Sequence, residues 1–522
     1  MHRPPTDGSH AAPTEGRRDG GSDGHVFVVK GTLESAASDV LIVPASSRFV
    51  PRHTWWRALG IDTEPPVAAG TGRARRFPDE VGFDRPAWIL NVAHDGRPSV
   101  PWLIDGLGDA LRKISADPPP AGDGRVRPLI AMPTLGVGLG GYDGVRGAVI
   151  KALLERTAEF VRSSAFDIVI VAENAADYAA FQSMRREGPP PQHWSQAAED
   201  LASAVRRNDV ALLLGAGVSV PAGLPTWDQL LSQLKSDTLP DLDDTKFAEL
   251  NVLDRAQLLS KASGATTLGA RTARAISAVT QKSPTLAHCL LASLGVERAV
   301  TTNYDTLYED AYESAHGSDS ISVLPRQEVH GDRSWLLKLH GDVAAPDSIV
   351  LSRRDFVRYD SERRPLASIV QSLMATNHVV VIGASMTDDN VLRLAHEVLA
   401  MNAVNKHERP LGTVVTLRPD PVRAALWEGD FRFVSASDSP DDAVAARDLE
   451  IMLDRVAMYA SDHTPFLVDS RYGELLDIEE KQLAQDLRDI ADRVRALDST
   501  KRDRWAPLGK TLKSMGDAGP MT

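Results

Sequence analysis

The sequence predicts an α/β protein, and three observations predict it. Short apolar runs rich in Val, Ile and Leu recur from His25 to Leu417. Stretches with helical spacing of apolar residues separate them. The composition, 43% hydrophobic and 25% charged, is that of ordinary globular material. Near-continuous apolar runs suit strands buried on both faces, and strands alternating with helices pair in parallel through right-handed crossovers. At roughly 150 residues per domain, 522 residues suggest about three folding units.

Residues 1–24 hold Gly, Pro, Asp and Arg with little apolar side chain to offset the entropy of ordering, and read as a disordered leader. A first unit spans 25–187. Its strands are "HVFVVK", "DVLIVPA" (Asp39 to Ala45), "WILNVA" (Trp88 to Ala93), "PLIAMP" (Pro128 to Pro133) and "DIVIVAE" (Asp167 to Glu173), with helices over Trp102 to Lys113 and Gly144 to Val161. Three consecutive prolines in "REGPPPQHW" (Arg186 to Trp194) suit neither helix nor central strand and mark the boundary. A second unit spans 195–430, with strands "DVALLLG" (Asp209 to Gly215), "RAVTTN" (Arg298 to Asn303), "WLLKLHG" (Trp335 to Gly341), "HVVVIGAS" (His378 to Ser385) and "LGTVVTL" (Leu411 to Leu417). It should be a doubly wound parallel sheet with a helical insert over Trp227 to Leu294. Residues 431–522 read as a helical C-terminal region. There Leu483, Leu487, Ile490, Val494 and Leu497 form a stripe that is either a short coiled-coil seam or a face packed on the chain's own core.

The net charge of −13 argues against a surface that holds nucleic acid by general attraction. The single cysteine, Cys289, allows neither an intrachain disulfide nor a cysteine zinc cluster, reads as a small buried hydrophobe, and points to a reducing, cytoplasmic setting. No secretion signal and no run of about 20 apolar residues is present, so no membrane insertion is expected. Trp55 and Trp56 should pack under the first unit. Arg353 and Arg354 read as a solvated face that could also line a cofactor entrance.

The chemistry-bearing stretch is "LLLGAGVSVPAGLPTW" (Leu212 to Trp227). A glycine-broken turn after a parallel strand offers backbone N–H groups at a sheet edge where ligands bind, and Gly215 and Gly217 are where a diphosphate could approach. The spacing Gly215, Gly217, Gly223 is not G-x-G-x-x-G, and no P-loop lysine follows, so a turn that only tightens a strand–helix joint is an equal reading. Three further segments follow apolar strands and end in polar groups: "TTNYD" (Thr301 to Asp305), "LHGD" (Leu339 to Asp342) and "GASMTDDN" (Gly383 to Asn390). A parallel sheet would bring all four to one edge.

Taken together, "GAGVSVPAGLPTW", "TTNYD", "LHGD" and "VVVIGAS" resemble, in order and rough spacing, the four signatures of the sirtuin family over about residues 200–430. The resemblance implies a Rossmann-like domain that binds NAD+ and breaks its nicotinamide–ribose bond. By it, Gly215, Ala216 and Gly217 are the diphosphate turn with Ser219 nearby, and Pro225, Thr226 and Trp227 belong to the cofactor loop. Asn303 and Asp305 lie beside the nicotinamide ribose, His340 is the general base, and Gly383 and Ser385 sit near the adenosine half. Two departures narrow this. Asp342 to His378 contains no cysteine where deacylating sirtuins carry a zinc module, so no metal is expected, and Thr226-Trp227-Asp228 replaces the family's Asp-Phe-Arg. Both features are similar to the sirtuin-like NAD hydrolases (NADases) of bacterial anti-phage defence. A zinc-free protein deacylase, an ADP-ribosyltransferase and a nucleotide-binding scaffold are the alternatives.

In the first unit, "LIAMPTLGVGLGGYDGV" (Leu129 to Val145) runs from strand to glycines to helix, and its amides can form an anion nest. With "SDVLIVPASSRF" (Ser38 to Phe49) it resembles the macro domain. By that resemblance Gly136, Gly138, Gly140 and Gly141 would hold the diphosphate of an ADP-ribose-like signalling nucleotide. Ala45, Ser46 and Ser47 stand where that family has asparagines, and a domain kept only for assembly is the other reading. Such a sensor beside an NAD-consuming unit would make a switch, with a phage protein as the other trigger and a homo-oligomer as the expected assembly.

Overall fold

The computed structural model describes residues 23–517, apart from 69, 80–84, 94–98, 123, 139, 186–191, 265, 280–282, 332 and 407–408. All but the end of the expected leader, and the three prolines of the expected boundary, lie outside the described residues.

The first sheet contains β1 (Val26–Lys30), β2 (Val40–Ala45), β3 (Ala74–Arg76), β4 (Ala87–Asn91), β5 (Leu129–Pro133) and β6 (Asp167–Ala172), in the order β1-β6-β5-β2-β4-β3. The five expected strands pair in parallel, and the short β3 adds an antiparallel edge. β2, β5 and β6 are buried at every position, as continuous apolar runs require. Helices α1 (Val100–Ala116) and α2 (Arg146–Arg162) connect β4 to β5 and β5 to β6, and α3 (Ala175–Met184) follows β6. Ser99 caps α1 and Asn174 caps α3. Trp55 and Trp56 are half-buried beside this sheet, and Trp56 Nε1 donates to the Pro51 carbonyl at 3.3 Å.

The second unit opens with α4 (Ser195–Arg206) and β7 (Val210–Leu214). A helical insert follows, beginning with α5 (Trp227–Thr238) and ending with α6 (Leu286–Ser293). Then come β8 (Arg298–Thr301), β9 (Ile321–Leu324), β10 (Ser334–Lys338), α7 (Arg353–Thr376), β11 (His378–Ile382), α8 (Asp389–Asn405), β12 (Gly412–Thr416) and β13 (Phe431–Ser435). The order is β13-β12-β11-β7-β8-β10-β9, and every pair is parallel. β7 therefore lies between β8 on one side and β11 on the other, the point where strand order reverses and an α/β sheet opens a crevice.

Strand β13 corrects the expectation that this unit ends at 430, because Phe431 to Ser435 pair residue for residue with β12. The C-terminal region packs on both sheets. Helix α9 (Asp442–Ala460) puts Leu449, Met452, Leu453 and Val456 into a core cluster that includes Val29 and Val43 of the first sheet and Leu212 and Leu214 of the second. Its other face carries Arg447, Glu450 and Asp454, spaced for one side of a helix. Arg447 makes a two-pronged ion pair with Asp167 (2.7 and 2.8 Å) and Glu450 pairs with Arg125 (3.3 Å). Asp454 accepts from His25 Nε2 at 2.8 Å and from Arg185 Nη1 at 3.0 Å. Burial pushes the Asp454 carboxyl up, but Arg185 and His25 more than offset it and hold it well below the usual range.

Beyond it, Tyr472 is buried in the other core of the first sheet, and its hydroxyl donates to Asp177 at 2.6 Å. Helix α10 (Ile478–Arg495) leaves Leu487, Val494 and Leu497 of the stripe only half-buried, against the reading of a face packed on the chain's own core. It turns Ala484 and Ala491 inward, and Leu483 and Ile490 are exposed. Among the described residues no helix is long and apolar enough to cross a membrane.

Candidate active site

Four strand ends converge because the ladders continue past the strands. Gly215 N donates to Ile382 O (3.0 Å), Thr302 N to Leu214 O (3.2 Å) and Leu339 N to Thr301 O (2.9 Å). These bonds bring the turn after β7, the loops after β8 and β10 and the loop after β11 to one edge.

The glycine turn is tighter than its sequence suggests. The amides of Gly215, Gly217, Val218 and Ser219 all donate within the fold, to Ile382, Gly383, Gly215 and Ala216 carbonyls respectively. A Cβ on Gly215 would stand 2.6 Å from Ala384 Cα, and one on Gly217 would stand 2.9 Å from Gly383 Cα. Backbone packing between the exits of β7 and β11 thus gives both positions a reason to be glycine. Ala216 is partly exposed on this turn, and Ser219 is buried at its end.

Asn303 bridges the exits of β7 and β8. Its Nδ2 donates to the Gly215 carbonyl (3.0 Å) and to Ser219 Oγ (3.1 Å), and its amide N donates to Thr301 Oγ1 (3.0 Å). A carbonyl only accepts, so this contact fixes which end of the carboxamide is nitrogen. Oδ1 is then left as a buried acceptor with no partner. Asp305 accepts from Leu307 N (3.0 Å) and turns the chain into the next helix.

Beneath the loop, Lys338 is fully buried. It donates to the carbonyls of Tyr304 and Asp305, and pairs with Glu309 (2.7 Å) and Asp342 (3.4 Å). Burial pushes the Glu309 carboxyl up to about 7, with Lys338 opposing. This charge cluster pins the Asn303 and His340 loops to one another.

His340 is 1% exposed at the exit of β10. Its ring lies edge-on to Phe356 (centroids 5.3 Å), 6.4 Å from Tyr359 and 6.5 Å from Trp227. Nε2 is 3.3 Å from Asp388 Oδ2, off hydrogen-bond alignment, and Nδ1 has no partner. Asp388 caps α8, accepting from Asn390 N and Val391 N. Burial raises its carboxyl, and the His340 ring together with those amides brings it below the ordinary value. A buried imidazole with an anchored carboxylate at one nitrogen and a bare second nitrogen is equipped to take a proton.

Of the remaining sequence-predicted residues, Thr226 caps α5 through a reciprocal pair with Gln229, Pro225 precedes it half-buried, and Trp227 opens the helix against Phe356 (6.1 Å). Gly383 takes a left-handed φ of 71°, and Ser385 is exposed, its Oγ 2.6 Å from Thr387 Oγ1. Arg353 pairs with Asp254 of the insert. Sequence reasoning missed Asp388, although it lies inside the quoted "GASMTDDN", and missed Phe356, Thr285 and His288. An aromatic on a long helix and a lone histidine in "LAHCLLAS" carry no signal that separates them from core.

In the first unit, the loop after β5 folds back so that Tyr142 N donates to Gly136 O (3.3 Å), and a Cβ on Gly140 would meet that carbonyl at 2.7 Å. Gly138 is exposed with open space at its Cβ position, and Gly141 takes φ 93°. The Tyr142 hydroxyl is buried without a partner. Among the described residues no group of three or more His, Cys, Asp or Glu side chains is placed to hold a metal ion.

The sheet, the turn and the Asn/His edge define an α/β protein whose second unit is a sirtuin-like domain. Residues 297–431, which include Asn303, His340 and Asp388, match the SIR2-like domain family. The chain is 27% identical over 197 residues to the NAD(+) hydrolase ThsA of Acinetobacter baumannii (strain 532279), covering 37% of this chain and 39% of that protein. It is 26% identical over 202 residues to the NAD(+) hydrolase ThsA of Enterococcus faecium, covering 38% and 41%. Defense-associated sirtuin 2 of Bacillus subtilis is 20% identical over 217 residues, covering 41% of this chain and 21% of that protein. The chain thus spans about two fifths or less of the length of these relatives. A Trypanosoma brucei macrodomain solved with ADP-ribose overlaps 31% of this chain and 68% of its own at 13% identity and a TM-score of 0.24, too slight a likeness to carry an argument.

Proposed function

We propose that the second unit is an NAD+ glycohydrolase, adding water across the nicotinamide–ribose bond to give nicotinamide, ADP-ribose and a proton. The observation that carries this reading is that Asn303 Oδ1 and both ring nitrogens of His340 are buried without hydrogen-bond partners, on adjoining loops at one sheet edge. Buried polar atoms are nearly always satisfied, so this set points to a missing partner, here a ribose hydroxyl or the attacking water. As nicotinamide leaves, C1′ of the ribose becomes oxocarbenium-like, and the site has to hold the sugar, exclude bulk water and place one nucleophile. Asn303 orients the ribose and the water. His340 accepts the proton, with Asp388 stabilising the imidazolium. Phe356, Tyr359 and Trp227 keep the ring dry. The relatives named NAD(+) hydrolase and defence-associated sirtuin support the same reading, and a cytoplasmic anti-phage effector that depletes NAD+ is the role that follows.

In this reading the turn of Gly215, Ala216 and Gly217, with Ser219 nearby, lies beside the dinucleotide diphosphate, Pro225, Thr226 and Trp227 belong to the cofactor loop, Asp305 lies beside the nicotinamide ribose, and Gly383 and Ser385 lie near the adenosine half. The first unit takes an ADP-ribose-like nucleotide on Gly136, Gly138, Gly140 and Gly141, supported by the orphaned Tyr142 hydroxyl in that loop. Such a ligand switches the enzyme only if it binds the active state more tightly.

Incubation of the whole protein with NAD+ and separation of the products tests the activity. Nicotinamide and free ADP-ribose are expected, with turnover reduced at least about a hundredfold in His340→Ala. No cleavage by the wild type either with or without ADP-ribose and its cyclic isomers, wild-type turnover in that variant, or ADP-ribose found only on protein overturns the reading. Calorimetry with ADP-ribose and its cyclic isomers tests the first unit, where an absence of heat returns that loop to a structural role.

A further inference from the structure

Behind Asn303 lies a second histidine. His288 is on α6, 1% exposed, and it forms a reciprocal cap with Thr285, which precedes the helix. Thr285 N–H donates to His288 Nδ1 at 3.2 Å, while His288 N–H donates to Thr285 Oγ1 at 3.3 Å. Thr285 Oγ1 lies 2.8 Å from His288 Nδ1 and 3.1 Å from the Val218 carbonyl of the glycine turn, and its single proton is shared between these two acceptors.

This cap decides the tautomer. A ring nitrogen that accepts a backbone N–H carries no proton, so in a neutral ring the proton is on Nε2. Burial pushes His288 down to about 4, so the ring is neutral near pH 7. Nε2 lies 3.4 Å from Ser219 Oγ, and Asn303 Nδ2 approaches the same oxygen at 3.1 Å. Both neighbours donate to Ser219, and the Ser219 hydroxyl keeps its own proton to give to whatever occupies the site.

We infer that His288 is a positioning residue for this site: its Nε2-protonated ring anchors the Ser219 hydroxyl and, through it, holds the Asn303 carboxamide with Oδ1 toward the reacting ribose. This rests on the glycohydrolase reading for its kinetic consequence, but not for its geometry. The bonds run in one direction, Thr285 to His288 to Ser219, with Asn303 closing on the same oxygen. A ring that only capped a helix would have no need of the last two contacts.

The test compares His288→Leu, which fills the space without a donor, with His288→Gln, whose amide can accept from Thr285 and donate to Ser219. Assayed well below the melting point of each variant, His288→Leu should lose roughly ten- to hundredfold in kcat with KM little changed, since a small misplacement of an orienting group costs that much. His288→Gln should recover most of it. If His288 acts through Ser219, the His288→Leu/Ser219→Ala pair should be no slower than the slower single variant within about twofold, whereas independent roles multiply. Wild-type kcat in His288→Leu, or multiplying effects, overturns the inference while the wild type still cleaves NAD+. Nitrogen-15 NMR of the ring tests it without any activity: a proton on Nε2 and none on Nδ1 is expected, and the opposite tautomer or a charged ring at neutral pH overturns it.

Discussion

The Asn303 carboxamide donates to the Gly215 carbonyl at 3.0 Å, tying the end of β8 to the glycine turn after β7. A side-chain-to-backbone bond between neighbouring strand exits turns two loops into one rigid edge, and it decides which atom of Asn303 is left without a partner. Replacing Asn303 with Asp sets a carboxylate oxygen against that carbonyl. Asn303→Asp should therefore lose as much NAD+ turnover as Asn303→Ala, about a hundredfold or more, despite its similar shape. Steady-state NADase assays of both variants check this, and an active Asn303→Asp would refute it.

Gly215 itself tolerates no side chain. A methyl group would meet Ala384 Cα and the Gly383 carbonyl oxygen, both at 2.6 Å, and backbone cannot step aside as a flexible side chain can. Gly215→Ala should cost roughly 1–3 kcal/mol, read as a lowered urea midpoint, before any effect on ligand binding is considered.

The half-buried His316 sets an acid limit. His316 donates from Nε2 to the Ala292 carbonyl at 2.8 Å, and burial, with Lys30 nearby, pushes its pKa to about 4. An unfolded imidazole binds its proton near pH 6.5, so between 6.5 and 4 the unfolded chain holds more protons and stability falls as pH falls. His316→Gln keeps a donor and removes the titration. Its urea midpoint should decline less steeply than the wild type's from pH 6.5 to 4, by an amount on the order of 3 kcal/mol at most. Equal slopes would show that the ring is already charged in the folded state.

Asp454 is held from two sides by His25 and Arg185 with no exposure to water. Removing the charge leaves the half-buried Arg185 without its counter-ion, with only Gln182 Oε1 and the Val26 carbonyl accepting from it. Asp454→Asn should destabilise the protein by roughly 3–5 kcal/mol, measured by denaturant unfolding, and a change near zero would mean that water replaces the carboxylate.

The sheets were legible because their strands are written as uninterrupted apolar runs. Val210 to Leu214 and His378 to Ile382 can hardly be read otherwise, and their alternation with helices implied the parallel order. β3, with the sequence Ala-Arg-Arg, and β13, with Phe-Arg-Phe-Val-Ser, carry charges because they are edges, and the same charges hid them. Asn303 and His340 could be placed since they stand directly after strands. Asp388 and His288 reach the site through helix starts whose position depends on tertiary packing, which no spacing records. Of the two readings of the Leu483 to Leu497 stripe, packing on the chain's own core fails because the small Ala484, not a leucine, lets α10 approach the first sheet's core.

Helix α9 wedges its apolar side into a cluster shared by both sheets and its charged side into the first, so neither sheet has a finished interior without it. Cleaving the chain near residue 435 would strip both halves at once, and the intact protein should melt as a single event. A nucleotide captured by either half then raises the melting temperature of the whole, so a thermal-shift screen registers every ligand the molecule accepts. Substitutions at one proposed site at a time would tell the two sources apart.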